Sequence, residues 1–545
     1  MQIIGNNKSG DGGAAMGRHN STAQVTGAGA YGMKPALPRV FRRLAMQAMR
    51  AAAGAALFTQ PAIFATPARA QNAASPCAAS TPAAASPAYP LKVSANRRYL
   101  VDQNNVPFLM AGDAPQMLIS NLTPAEAERF VANRRKYGIN TLWIHVLCMF
   151  SDACKDDAST VDGIAPFLTA GDLSSPNPAY FERVDEMLRI ASAHGMAVLL
   201  DPIETSRWLP VLRANGLAKA TAYGEFLGSR YKDYPNILWM HGNDFQSWQD
   251  KTDDALVQAV AKGIRSADKN HLHTVELHYL TSGSLDDPSW EPLIDFDLAY
   301  TYFPAYAQVL KEYNRPNFKP VIMVEGSYEF EQGSEGSPSS LRRQEYWTML
   351  SGAAGQAYGS FYTWRLPKDW EANLDTPGAV QFGYMKNFFA PRKWQELVPD
   401  QSHTVVTAGY DGFSGFIGKA SAWIGKDLAF SEPGFPRKVF DRIRRTTGYG
   451  YTATNTYATA ASTPDGSLVA VYMPTARTVT VDMSKLSGPA AARWYDPASG
   501  AYISAAPSPL PGEGEKTFTP PGKNSAGDSD WVLVIETSPA DNCAD

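Results

Sequence analysis

From residue 90 or so to residue 400, short apolar runs alternate with amphipathic segments of helical period, the pattern of repeated βα units. The apolar runs are Phe108–Gly112, Thr141–Val146, Ala197–Leu200, Ile237–Met240, His273–Leu277, Asp297–Tyr300, Pro320–Val324 and Gly359–Thr363. Helices are predicted over Pro124–Tyr137, Pro178–His194, Tyr223–Tyr231, Ala255–Ala267, Leu341–Ala354 and Val380–Phe389. The first is the most fully marked. Thr123 stands at the N-cap, Pro124 at the first helical position, Glu126 in the first turn, and Gly138 ends it. Eight strand candidates, nearly all followed by a helix, predict an α/β chain with a closed (β/α)8 TIM barrel over residues 91–400. An open doubly wound sheet is the competing arrangement. It would carry a Gly-rich phosphate turn after its first strand, and Gly112-Asp113-Ala114 is not such a turn.

Beyond Val405 the texture changes to Thr-, Tyr- and Val-rich alternation with turns such as Pro464-Asp465-Gly466. Strands predicted over Leu468–Met473, Thr478–Met483, Ala492–Tyr495 and Trp531–Glu536 give a small C-terminal antiparallel β-sandwich over residues 401–540. Ahead of the barrel, residues 71–90 are an Ala/Ser/Pro linker without periodicity.

Barrel active sites lie at the C-terminal ends of the strands, so the polar residues that directly follow each apolar run are the candidates for chemistry. They are Asp113 after the first, His145 at the second, Asp201 and Glu204 at the third, and His241, Asn243 and Asp244 at the fourth. His278 and Tyr279 follow the fifth, Tyr302 the sixth, Glu325 the seventh, and Trp364 with Arg365 the eighth. A rim of acids, imidazoles and aromatic rings suits a sugar, because rings stack on its C–H faces while polar groups bond its hydroxyls. Glycoside hydrolysis needs two carboxyl groups flanking the scissile bond. Strands four and seven lie across the barrel mouth from each other, which singles out Asp244 and Glu325 as the catalytic pair. Asp113, His145, Glu204, His241, Asn243, His278, Tyr302 and Trp364 are the candidate substrate contacts. Each has a structural alternative: an N-cap or loop turn for Asp244, an end-of-strand ion pair for Glu325, a cap for Asp113, core-edge packing for the histidines.

Composition adds a compartment. Arg39, Arg42 and Arg43 precede the apolar run Ala51–Phe64, which leads into Ala68-Arg69-Ala70, so residues 1–70 read as a leader and secretory signal. A membrane anchor would need a longer run, and Gln60 and Pro61 interrupt this one; no stable membrane insertion is expected. The chain is thus expected to be exported, periplasmic or secreted. The remainder carries 41 basic and 52 acidic residues, a net charge of −11, which argues against nucleic acid as a partner. Cys148 and Cys154 are spaced to staple one loop as a disulfide, with Cys77 and Cys543 left near the two ends. His271-x-His273 begins a strand rather than ending one, so neither a metal nor any other cofactor is expected.

The chain also resembles the apiosidase-like glycoside hydrolases, whose barrel is followed by a β-sandwich of collagen-binding type. The likeness runs from about residue 90 to 537 and is carried by Phe108-Leu109-Met110-Ala111-Gly112-Asp113, by Leu122-Thr123-Pro124-Ala125-Glu126-Ala127 and by Gly138-Ile139-Asn140. It continues in Pro235-Asn236-Ile237-Leu238-Trp239, Gly242-Asn243-Asp244, Glu325-Gly326, Tyr346-Trp347, Ser351-Gly352-Ala353-Ala354-Gly355 and Leu397-Val398-Pro399-Asp400. In the sandwich, Val471-Tyr472-Met473-Pro474, Trp494-Tyr495-Asp496-Pro497 and Asp530-Trp531-Val532-Leu533 match. The resemblance implies a retaining, exo-acting enzyme on plant cell-wall-type polysaccharide or oligosaccharide, with Asp244 as acid/base and Glu325 as nucleophile. Two departures stand beside the substrate: Asn243 replaces a glycine, and Gln116 and Met117 stand where the family has an aromatic residue. The competing function is a non-catalytic carbohydrate- or matrix-binding protein that uses the barrel as a scaffold.

Overall fold

The computed structural model describes residues 86–149, 153–277, 281–410 and 451–537. The leader and export signal, most of the linker, Cys77, Cys543, His278 and Tyr279 lie outside the described residues. Eight parallel strands form the barrel wall: β1 (Met110–Asp113), β2 (Thr141–His145), β3 (Ala197–Asp201), β4 (Ile237–Phe245), β5 (His273–Leu277), β6 (Asp297–Thr301), β7 (Val321–Glu325) and β8 (Gly355–Tyr358). They pair in the order β5-β4-β3-β2-β1-β8-β7-β6, with a short strand, Thr281–Gly283, antiparallel on β6. Every residue of β2, β3, β5, β6 and β7 is buried, as expected of parallel strands covered on both faces.

The seam between β5 and β6 is closed by side chains as well as by backbone. The Ser284 hydroxyl donates to the Val275 carbonyl (2.5 Å) and accepts from the Leu298 N–H (2.8 Å). The Thr274 hydroxyl donates to the Phe296 carbonyl (2.9 Å), and the Asp295 N–H donates to the His273 carbonyl (2.7 Å). These bonds satisfy strand groups that an ordinary ladder would have paired.

Among the described residues, seven helices of two turns or more surround the wall: α1 (Pro124–Lys136), α2 (Pro178–Ala193), α3 (Thr205–Tyr231), α4 (Lys251–Ala267), α5 (Ala305–Tyr313), α6 (Pro338–Leu350) and α7 (Pro377–Phe389). α1 starts with the capping box that its sequence predicts: the Glu126 N–H donates to the Thr123 hydroxyl, and the Thr123 N–H donates to Glu126 Oε2 at 2.8 Å. α3 and α4 touch at glycines. A Cβ on Gly224 would fall 2.2 Å from the Val260 carbonyl oxygen, and one on Gly263 2.2 Å from that of Thr221.

Two predicted elements differ from the structure. The eighth strand is Gly355–Tyr358, and Phe361–Thr363, predicted as part of it, lies in a helical turn, Phe361–Trp364, capped by the Ser360 hydroxyl, which accepts from the Tyr362 N–H. Aromatic and β-branched residues favour strands, but Ser360 followed by Thr363 gives local hydrogen bonds that compete with a ladder. α3 begins at Thr205, well before Tyr223, because Glu204 caps it; Gly216, at φ 71°, breaks its regular geometry and hid its first half from periodicity.

The C-terminal strands are β9 (Val398–Pro399), β10 (Val406–Ala408), β11 (Thr459–Ser462), β12 (Leu468–Met473), β13 (Val479–Asp482), β14 (Ala490–Tyr495), β15 (Tyr502–Ser504), β16 (Glu515–Phe518) and β17 (Trp531–Thr537). They form a six-stranded sheet, β9-β11-β12-β17-β14-β15, and a three-stranded sheet, β10-β13-β16, antiparallel throughout. β12 is buried along its whole length because both faces are covered. Val469, Val471 and Met473 enter the core shared by the two sheets, whereas Ala470 and Tyr472 join the barrel core. The Tyr472 ring stacks on Tyr346 of α6 (5.1 Å, 12°), and the Trp347 indole N–H donates to the Tyr457 carbonyl at 2.9 Å. The sheet is therefore docked against α6 of the barrel wall.

Candidate active site

β4 ends in a bulge. Gly242 pairs with Glu276 and Phe245 with Leu277, so Asn243 and Asp244 are extra residues pushed out of the ladder. Gly242, Asn243 and Asp244 have φ of 100°, 69° and 53°, three successive residues in the left-handed region. Gly242 is required on a second ground, since a Cβ there would meet the Glu276 carbonyl oxygen at 2.5 Å. At Asn243 the conformation is one that glycine adopts freely and asparagine tolerates best among other residues. That is the physical reason Asn can stand where relatives carry glycine. Its side chain adds a bond that glycine lacks, Nδ2 donating to Glu276 Oε2 (3.0 Å), while its backbone carbonyl accepts from the Thr205 hydroxyl (2.8 Å). The bulge leaves Asp244 exposed between buried neighbours.

Glu325, the last residue of β7, is 7% exposed and held by phenols. Tyr302 donates to its Oε1 at 2.6 Å and Tyr328 to its Oε2 at 3.0 Å. Burial pushes the Glu325 carboxyl up to about 8, and the charge of Asp244 adds to the rise; Tyr302, Tyr300 and Tyr328 oppose it. Asp244 meets solvent yet is hemmed in by the surrounding strand ends. That crowding raises it to about 6, against the influence of Tyr300. The two carboxyls influence each other, so they titrate as a pair that holds one proton between those values.

A third carboxyl completes the cluster. Glu276, on β5, is fully buried, accepts from Asn243 and is raised well above the usual carboxylate range by burial, then by Glu325 and Asp244. Sequence reasoning missed Glu276, Tyr300 and Tyr328 because it looked just beyond each apolar run. Glu276 and Tyr300 lie inside theirs, and an acid within His273–Leu277 was the available signal.

Most of the other predicted residues are buried and bonded within the protein rather than open at the rim. Asp113 is fully buried and ion-paired with Arg134 of α1 (2.5 Å), and Glu204 accepts from the Ser206 and Arg207 N–H groups at the start of α3. His145 is buried beside Asp201 (Nε2 to Oδ2 3.7 Å), and burial pushes it down to about 3. His241 is likewise pushed down to about 3 by burial; its Nε2 lies 3.0 Å from His273 Nδ1, and the two rings stack. Trp364 donates its indole N–H to Glu331 Oε1 at 2.7 Å. Cys148 and Cys154 are joined as a disulfide in the loop after β2. Among the described residues no group of three or more His, Cys, Asp or Glu side chains is placed to hold a metal ion, and no helix is long and apolar enough to cross a membrane.

The family model "Apiosidase-like, catalytic domain" matches residues 94–396, more than half of the chain. The chain belongs to the apiosidase-like family. This apiosidase-like protein is a glycoside hydrolase, and a carbohydrate is its substrate. A second model, "Putative collagen-binding domain of a collagenase", matches residues 450–536 of the sandwich. Among solved structures, one described as a glycoside hydrolase is 24% identical, with a TM-score of 0.66, over 83% of this chain and 97% of that one. A glycoside hydrolase of family 5 from Bacteroides vulgatus ATCC 8482 is 22% identical, with a TM-score of 0.66, over 84% of this chain and 95% of that one. At these identities the likeness is one of fold. A comparison with curated proteins gave no match.

Proposed function

We propose that the apiosidase-like chain removes a terminal sugar from a plant cell-wall-type glycan by double displacement, with Asp244 as acid/base and Glu325 as nucleophile. The family description points to apiose as that sugar. The observation that carries the reading is the pairing of a buried, phenol-held carboxyl on β7 with a solvent-reached carboxyl on the β4 bulge. Glu325 attacks the anomeric carbon while Asp244 donates its proton to the departing glycosidic oxygen, giving a glycosyl-enzyme ester. Asp244, now ionised, takes a proton from water as that water attacks the anomeric carbon, and Glu325 leaves as a carboxylate.

In the free protein the pair's single proton favours Glu325, the more strongly raised group. A bound glycoside covers Asp244, removes its water and offers the glycosidic oxygen as its acceptor. Tyr302 and Tyr328 go on donating to Glu325, which favours its anion. The proton then sits on Asp244, as the first step requires.

The order of the two titrations favours one other reading, in which Glu325 is the acid and Asp244 the nucleophile. Azide separates them. Asp244→Ala is expected to lose about 10²–10⁴-fold in kcat, with azide restoring turnover of activated glycosides and giving a glycosyl azide of retained configuration. Glu325→Ala with azide is expected to give the inverted azide. If the two variants exchange products, the roles are reversed; if azide rescues neither, the double displacement is wrong.

A further inference from the structure

Phe330 is out of place by the rules that govern the rest of the fold. It is 54% exposed, the more exposed of the two aromatic side chains that stand out on the surface of the described residues. Its φ is 67°, in the left-handed region that a bulky side chain adopts only at a cost in backbone energy. So exposed a ring buries little, and the strain is not repaid by packing. Phe330 is the fifth residue after Glu325, and Tyr328, two residues back on the same segment, donates to that carboxylate.

The segment is held firmly from below. Glu329 is buried and accepts from the Tyr358 hydroxyl (2.5 Å), the Thr376 hydroxyl (2.7 Å) and the Gly378 N–H (2.9 Å). Its backbone bridges Ser360, with the Glu329 N–H donating to the Gly359 carbonyl and the Phe361 N–H donating back to the Glu329 carbonyl. The ring itself meets Tyr362, from the segment after β8, edge to face at 5.2 Å. The strained residue is therefore displayed on a rigid base, at the rim, next to a second aromatic ring.

We propose that the exposed face of Phe330, braced by the nearly perpendicular Tyr362 ring, is a platform on which a sugar ring of the leaving glycan stacks. This rests on the reading that Asp244 and Glu325 cleave a terminal sugar. The terminal ring then occupies the carboxylate cluster, and whatever extends outward over the rim belongs to the leaving group. An exposed aromatic face suits the C–H face of a sugar ring, and a fixed ring loses little freedom on binding. The substrate implied is an apioside whose aglycone is itself a carbohydrate.

The test uses the full chain with two probes, a pectic oligosaccharide ending in apiose and methyl apioside, whose aglycone has no ring. Phe330→Ala is expected to lower kcat/KM on the oligosaccharide about tenfold and to leave methyl apioside within about twofold. Equal loss on both probes, or loss on neither, overturns the platform. Phe330→Gly relieves the left-handed strain, so it should match or exceed the parent's Tm while losing the same activity; a lowered Tm would make Phe330 a packing residue and also overturns it. Asp244→Ala separates this from the reading of the site, since it should stop turnover of both probes. If the parent chain turns over neither, that reading fails, and the platform is then judged by oligosaccharide binding alone. A Kd raised about tenfold by Phe330→Ala supports it; an unchanged Kd, or no binding by the parent, overturns it.

Discussion

Asn243 shows how a single residue can be read twice. In the sequence it is a departure from a family glycine beside the proposed acid. In the structure it occupies a left-handed position that glycine and asparagine share, and its amide reaches Glu276. Asn243→Ala should destabilise the fold by about 1–3 kcal/mol, through left-handed strain and a buried carboxyl left without its donor. Asn243→Gly, which keeps the backbone and loses only the side-chain bond, should cost less. Equilibrium urea unfolding of both variants checks the order, and equal losses would mean that the strain contributes nothing. The carboxyl pair makes a second prediction. Below about 6 both Asp244 and Glu325 are protonated, above about 8 both are ionised, and only between them does the pair hold the one proton that attack and donation need. The pH profile of kcat/KM should be a bell with limbs near those values; activity still rising above pH 9 would contradict the shared proton. That Asp244 and Glu325 stand at the ends of their strands was legible from the apolar runs alone. Glu276, Tyr300 and Tyr328 were not, because the bulge and the inward turn of their side chains are three-dimensional facts that no spacing announces.

At the scale of elements, barrel and sandwich meet in a buried ion pair whose partners, Arg342 and Asp530, no spacing in the sequence brings together. Arg342 of α6 is fully buried and makes a two-bond contact to Asp530, with 2.8 Å from Nε to Oδ2 and 2.8 Å from Nη2 to Oδ1. It also donates to Asp528 and, within the barrel, to Gln381 of α7 (both 2.7 Å). Tyr472 and Asn524 complete the shell around Asp530. Removing the cation leaves Asp530 buried with no countercharge, so Arg342→Ala should destabilise the folded chain by about 3–5 kcal/mol. A urea midpoint unmoved by the change would mean that the docking rests on the stacked Tyr346 and Tyr472 and on apolar burial. Strand and helix existence was legible wherever caps and turns were strong, as at Thr123. It failed where a local competitor overrode propensity, as at Ser360, or where a glycine such as Gly216 broke the period.

For the whole molecule, eight strand ends gather onto one rim residues that lie between 110 and 365 in the chain, and the sheet of the sandwich braces the wall behind α6 and α7. Fold class followed from the alternation of apolar runs and helices, because that alternation is what a parallel barrel needs in order to bury its strands. The chemistry follows less directly, since the same rim serves many reactions and only the environments of its carboxyls distinguish them. The proposed double displacement turns on Glu325 forming the covalent intermediate. It is tested most directly by treating the full chain with a 2-fluoro apiosyl fluoride, which slows hydrolysis of the ester, and mapping the adduct by mass spectrometry of the digested protein. One added glycosyl group, on Glu325, is expected; an adduct on Asp244 or Glu276, or none while the compound is turned over, would contradict that assignment.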